Sequence, residues 1–262
     1  MTQIEFAYKA KNILANDENI IGLAVGGSWL TNQIDEFSDL DLIIVTKEKI
    51  SGNKSKMFDY AKRFDNFLSG FTGEHVGEPR LLVCLYDKPL LHVDLKFVTL
   101  DEFKNRIETP TILLDKNEQL KSALTNSEAK FPYPEYQWIE DRFWIWIHYI
   151  LLKIGRGEYF EALDCFAFLR SAVFGPLLHI KNGKLPRGVR RVETDLENED
   201  LNLLINTIPE YNRKSLLERL QNSISLYKKL RKSLFGKEIN LQKETEIKVL
   251  LFFSEIEKQN EY

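Results

Sequence analysis

Apolar positions along the chain fall into two regimes. Up to about residue 130, short apolar runs alternate with amphipathic segments. Beyond it, spacings of three and four predominate. Between Gln3 and Ala15, the residues Phe6, Ala7, Ala10, Ile13 and Leu14 share one face of a predicted helix. Ile20 to Val25 is rich in β-branched residues and ends at Gly26-Gly27, which predicts a buried strand running into a glycine turn. Leu40 to Val45 predicts a second strand, Arg80 to Tyr86 a third and Leu90 to Val98 a fourth. Asp87-Lys88-Pro89 is the expected turn of a hairpin between the last two. Met57, Ala61, Phe64, Phe67 and Leu68 predict a helix over Met57–Leu68. In the fourth strand the period of two sets Leu91, Val93, Leu95 and Phe97 against His92, Asp94 and Lys96.

Phe131-Pro132-Tyr133-Pro134 reads as an extended linker, because each proline turns its predecessor away from helix. After it, helices are expected over Glu140–Ile154, Tyr159–Val173 and Arg213–Leu234, with a polar connection at Gly183–Asp195. The expected organisation is an α/β N-terminal domain over residues 1–130 and an α-helical C-terminal domain over 131–262.

Composition narrows the field. Thirty-six Lys and Arg against 39 Asp and Glu give a net charge of −3 over 262 residues, which excludes a chain held to nucleic acid by net charge alone. Cys84 and Cys165 lie in apolar stretches outside any C-x-x-C pattern, so both are read as reduced core residues. The N-terminus lacks the basic-then-apolar layout of a signal peptide. The most apolar run, Phe143 to Leu152, is interrupted by His148 and falls short of the roughly 20 residues that span a bilayer. The expectation is a cytoplasmic protein without a membrane partner.

One local arrangement carries chemistry. Gly26-Gly27-Ser28 is followed, after ten residues, by Asp39-Leu40-Asp41 at the head of an apolar strand. The strand period puts Asp39 and Asp41 on one face. Two adjacent carboxylates repel unless a cation lies between them, and a hard ion such as Mg²⁺ suits oxygen ligands. Bare glycine backbone, the Ser28 hydroxyl and N–H groups at a helix start suit a phosphate. Asp94, in mid-strand on a polar face, is the natural third acid, since an acid there is costly unless paired or bound to metal.

Gly-Ser, a ten-residue gap, Asp-x-Asp and a later strand Asp resemble the nucleotidyltransferase superfamily that includes DNA polymerase beta. The plan is most similar to the aminoglycoside and lincosamide nucleotidyltransferases, which share the chain's size and a C-terminal helical domain. Glu140-Asp141-Arg142-Phe143-Trp144, with Tyr149 and Lys153, resembles the first helix after the catalytic domain of streptomycin adenylyltransferase-like proteins. The motif departs from many relatives at Trp29, where they carry arginine.

The resemblance implies an α+β chain, with a mixed sheet flanked by helices and a helical C-terminal domain. It implies transfer of a nucleoside monophosphate, usually AMP from ATP, to a hydroxyl of a small molecule, with an aminoglycoside-type antibiotic and hence antibiotic resistance among the expectations, and release of pyrophosphate. Asp39, Asp41 and Asp94 would hold two Mg²⁺ ions, and Gly27 and Ser28 would hold phosphate. Asp94 or Glu140 would accept the hydroxyl proton, and Lys153 would contact phosphate. For Glu140 the plain alternative is a first-turn acid favoured by the helix dipole, and for Lys153 a solvated charge. His92 is read as a hydrogen-bonded structural histidine. Arg142 and His148 fit a loose R-x5-H spacing found in helical ribonucleases of toxin–antitoxin pairs. A protein- or RNA-modifying enzyme, a toxin–antitoxin component and a non-catalytic nucleotide-binding module are therefore the rival functions.

Overall fold

A computed structural model describes residues 2–259, which form two compact units, one on either side of the Phe131–Pro132 bond. In the first unit β1 (Ile20–Val25), β2 (Leu40–Thr46), β3 (Phe67–Gly73), β4 (Glu78–Tyr86), β5 (Leu91–Thr99) and β6 (Thr111–Asp115) form one sheet. Its order is β3-β4-β5-β2-β1-β6. Among the described residues only β2 and β5 pair in parallel; every other neighbouring pair is antiparallel.

Helices α1 (Gln3–Ala15) and α2 (Lys54–Ala61) cover one face. Thr2 and Glu5 close a capping box at the start of α1, satisfying amides that no helical carbonyl can reach. Phe6, Ala10 and Leu14 of α1 and Met57 and Tyr60 of α2 pack on Leu23, Leu40, Leu42, Ile44, Val93, Leu95 and Phe97. Full burial of each Phe, Leu, Ile, Val or Met among them is worth about 1.5–3 kcal/mol. Helices α3 (Leu100–Lys104) and α4 (Gln119–Thr125) supply a smaller core on the other face, where Phe103, Leu120 and Ala123 meet Ile21, Ala24, Val45 and Val98.

The sheet places the acids. Leu40, Leu42 and Ile44 of β2 enter the larger core, so Asp41 shares the opposite face with Ile43 and Val45. On β5 the same alternation puts Asp94 on the side of Val98, and the parallel register sets Asp41 directly beside Asp94.

The expected Met57–Leu68 helix is corrected. α2 ends at Ala61, Asn66 takes a left-handed φ of 64°, and Phe67 and Leu68 open β3. Asparagine tolerates this conformation, and a right-handed helix cannot continue through it. β3 and β6 escape the sequence pattern because both are sheet edges. Leu68 and Phe71 of β3 are exposed, so the clean alternation of a half-buried strand is missing.

The second unit is helical: α5 (Tyr136–Gly155), α6 (Tyr159–Leu169), α7 (Gly175–Lys181), α8 (Val192–Asp195), α9 (Asn198–Ile205), α10 (Arg213–Leu234) and α11 (Lys243–Lys258). A π-helical turn over Arg170–Phe174 joins α6 to α7, giving a run from Tyr159 to Lys181. By length and composition this run is apolar enough to cross a bilayer. Ala162, Phe166, Leu169, Val173, Phe174, Leu177 and Leu178 bury it in the core shared with α5 and α10. That is the environment of a core helix.

Candidate active site

Gly26 follows β1, and a five-residue 3₁₀ turn starts at Gly27 and carries Ser28. Gly27 has φ +61°, and a Cβ there would stand 1.9 Å from Asp41 Oδ2. Only glycine fits this backbone and this proximity. The amide of Gly26 donates to the Asp41 carbonyl at 3.0 Å, tying the turn to the head of β2. Asp39 lies immediately before β2 and Asp94 in the middle of β5.

One carboxylate oxygen each from Asp39, Asp41 and Asp94 lies within 4.8 Å of the others. All three residues are half-buried. Donor atoms on opposite sides of an octahedral Mg²⁺ lie roughly 4 Å apart, because its bonds are about 2.0–2.1 Å long. The 4.8 Å bound is slightly wider, so small side-chain rotations would bring these three hard, solvent-reachable donors onto one divalent cation that also keeps water and phosphate ligands. Burial raises the Asp94 pKa above the ordinary carboxylate range; the hydrogen bond and charge of His92 oppose this, and the Asp39 charge adds to it. His92 Nε2 lies 3.0 Å from Asp94 Oδ1, as expected of a hydrogen-bonded histidine.

The glycine turn holds a side chain that sequence reasoning passed over. Gly27 N–H donates to Glu108 Oε1 at 2.8 Å, and a Cβ on Gly26 would stand 2.8 Å from the same oxygen. Glu108 comes from the connection between α3 and β6. Nothing in its local pattern marks it, since it belongs to neither an apolar stripe nor a motif, and only the pairing of β6 with β1 brings it to the turn.

The other expected site residues have different surroundings. Glu140, on α5, is fully buried. It accepts from the Tyr227 hydroxyl, from Arg231 Nη1 at 3.3 Å and from the Gln242 amide at 3.0 Å. With its oxygens engaged inside the helical unit it is a structural acid, and on that ground the expectation of a proton acceptor at Glu140 is corrected. Lys153 Nζ bonds Glu158 and Glu161, each at 2.9 Å, and these carboxylates hold its pKa above the usual lysine range. Arg142 stacks over Trp138 at 4.4 Å, and His148 lies against Phe252 at 5.0 Å. Cys84 is buried, and burial pushes its thiol pKa up to about 12; Cys165 is half-buried, and burial raises its thiol too.

No family model and no curated protein matches the chain. Among solved structures it is similar to an aminoglycoside 6-adenyltransferase from Bacillus subtilis, at 18% identity and a TM-score of 0.44, over 99% of this chain and 100% of the other. It is also similar to a spectinomycin adenyltransferase from Enterococcus faecialis with ATP and spectinomycin, at 14% identity and a TM-score of 0.29, over 98% of each chain.

Proposed function

We propose that the chain is a metal-dependent nucleotidyltransferase that moves a nucleoside monophosphate, AMP from ATP, to a hydroxyl of a small molecule. The observation that supports this best is the convergence of Asp39, Asp41 and Asp94 within 4.8 Å beside the Gly27-Ser28 turn. Three carboxylates in so small a space repel one another unless divalent charge is present. Bare glycine backbone beside these acids lets phosphate oxygens approach the chain closely.

The residues divide the work. Asp39, Asp41 and Asp94 would hold Mg²⁺, which when bound supplies charge neutralisation on the triphosphate and alignment of the acceptor oxygen. The turn at Gly27 and Ser28 binds the phosphates that depart. Asp94 takes the proton of the acceptor hydroxyl. The acceptor oxygen then forms a bond to the α-phosphorus as the bond from that phosphorus to the bridging oxygen of the β-phosphate breaks. The electron pair leaves on pyrophosphate, so the products are the nucleotidylated acceptor and pyrophosphate. Positioning and electrostatics account for most of the rate gain in such transfers.

Incubation with α-labelled ATP and Mg²⁺ tests the reading. The acceptor panel holds aminoglycosides, spectinomycin, lincosamides, purified RNA and purified protein. Label on a small hydroxylated acceptor is the expected outcome. Transfer to RNA or protein alone would replace the acceptor class, and absence of transfer to every acceptor would remove the activity. Asp39→Asn and Asp41→Asn should each lower transfer by about 10²–10³-fold, the scale lost when one preorganised electrostatic element is removed.

A further inference from the structure

We propose that Glu108 sets nucleotide affinity by occupying the Gly27 amide that the triphosphate would take, so that a metal-neutralised triphosphate displaces it far more readily than a bare one. The inference rests on the nucleotidyltransferase reading of this site and deepens it.

The geometry is that of an anion already seated in an anion niche. Glu108 Oε1 accepts from Gly27 N–H at 2.8 Å, at the first residue of the 3₁₀ turn. A Cβ on Gly26 would come within 2.8 Å of that oxygen, so the bare backbone that suits a phosphate is the feature that admits the carboxylate. A single N–H in this geometry serves one strong acceptor. Carboxylate and phosphate oxygens make charge-assisted bonds of the same kind, so their occupation of the amide is competitive.

Charge sets the direction. Asp39, Asp41 and Asp94 lie beside the same turn, and Glu108 adds a fourth carboxylate. An incoming triphosphate must break the Glu108 bond and then tolerate that negative charge nearby. Divalent ions on the triphosphate lower the second cost, and replacing Glu108 by a neutral side chain removes it. The effect of Glu108 is therefore larger for ATP without metal than for ATP with metal. If Glu108 only anchored its connecting segment, its removal would loosen the turn and weaken binding.

Calorimetric titration of the full chain with α,β-methylene-ATP, with Mg²⁺ and with EDTA, separates these cases. Wild type, Glu108→Gln, Glu108→Ala and Glu108→Asp are compared, with a thermal melt of each. The aspartate keeps the charge but is one methylene shorter. Glu108→Gln and Glu108→Ala are expected to bind about tenfold tighter with Mg²⁺, with a larger gain in EDTA, and Glu108→Asp to fall between them and wild type. Should the neutral variants fail to fold, Glu108→Asp alone decides: tighter binding supports the proposal and equal or weaker binding overturns it. Binding by wild type with unchanged or weaker binding by the folded variants overturns the role of Glu108 and leaves the nucleotide reading standing. Binding by the variants alone supports both. No binding by any of the four proteins overturns both.

Discussion

Gly27 carries the most constrained demand at the residue scale. Its φ of +61° and the 1.9 Å between a notional Cβ and Asp41 Oδ2 mean that Gly27→Ala must turn the Asp41 carboxylate aside or flatten the turn. The left-handed conformation alone costs alanine roughly 1–2 kcal/mol, which a domain of ordinary stability survives. The expected result is a folded protein with a slightly lower melting temperature and Mg²⁺-dependent nucleotide affinity weakened about tenfold or more, on the scale of one lost charge-assisted contact. Titration calorimetry beside a thermal melt checks it, and undiminished affinity would mean that Asp41 keeps its place without help from the turn. At this scale the site was legible where the acid interrupts an apolar pattern. Asp94 lies in mid-strand opposite Leu91, Val93, Leu95 and Phe97, where burial cost marks it, and Asp41 is marked by its pairing with Asp39 across Leu40. Glu108 and the partners of Glu140 were not legible. They depend on contacts 81 residues away in sequence for Gly27, and 87 and 102 for Tyr227 and Gln242, and no local spacing encodes such distances.

Elements meet through charges whose value depends on burial. In the sheet, Glu78 at the start of β4 receives both Arg80 Nε and Nη2 at 2.6 Å and Lys96 of β5 at 2.8 Å. The Arg80 hydrogen bonds, with Lys96, lower its pKa from 4.5 to about 2 despite partial burial. A depressed carboxylate stabilises the fold above its unfolded pKa, and the contribution drains away as pH falls from about 4.5 towards 2. Glu78→Gln should therefore lower stability at pH 7 by about 0.5–1 kcal/mol, the range for a well-formed but partly exposed pair, and should narrow its deficit below pH 4. Urea midpoints for both proteins between pH 7 and pH 3 measure this; a deficit that does not change with pH would assign it to packing. In the helical unit Glu140 joins α5 to Tyr227 and Arg231 of α10 and to the cap residue of α11. Arg231 keeps Glu246 at 2.9 Å, but Glu140→Ala leaves the buried Tyr227 hydroxyl and the Gln242 amide without their acceptor, and urea unfolding of that unit should show a loss of about 1–3 kcal/mol. Legibility at this scale followed coverage. β1, β2, β4 and β5, central in the sheet, show apolar patterning, whereas β3 and β6 at the edges carry the weaker pattern of strands with one free side.

Across the whole molecule the chemistry is concentrated on one side of a chain division. The six strands, both cores of the sheet, the three aspartates, Gly27 and Glu108 all precede Pro132. A unit of this length buries about two thirds of the surface its unfolded chain exposes, which suffices for independent folding. None of the three carboxylates depends on α5–α11 for the register that brings it to the others. Asp41 and Asp94 are aligned by β2–β5 pairing, and the segment before Asp39 is tied to α1 through Gln3 Nε2, which donates to the Asp35 and Ser38 carbonyls at 2.9 and 2.8 Å. A fragment of residues 1–131 is therefore expected to unfold cooperatively and to bind Mn²⁺, a paramagnetic stand-in for Mg²⁺, with the affinity of the full chain. Electron paramagnetic resonance of free Mn²⁺ reports this directly, and Asp41→Asn should weaken binding equally in fragment and full chain. Loss of Mn²⁺ binding in a folded fragment would show that the helical unit supplies or shapes a ligand, and the cation site would then belong to both units.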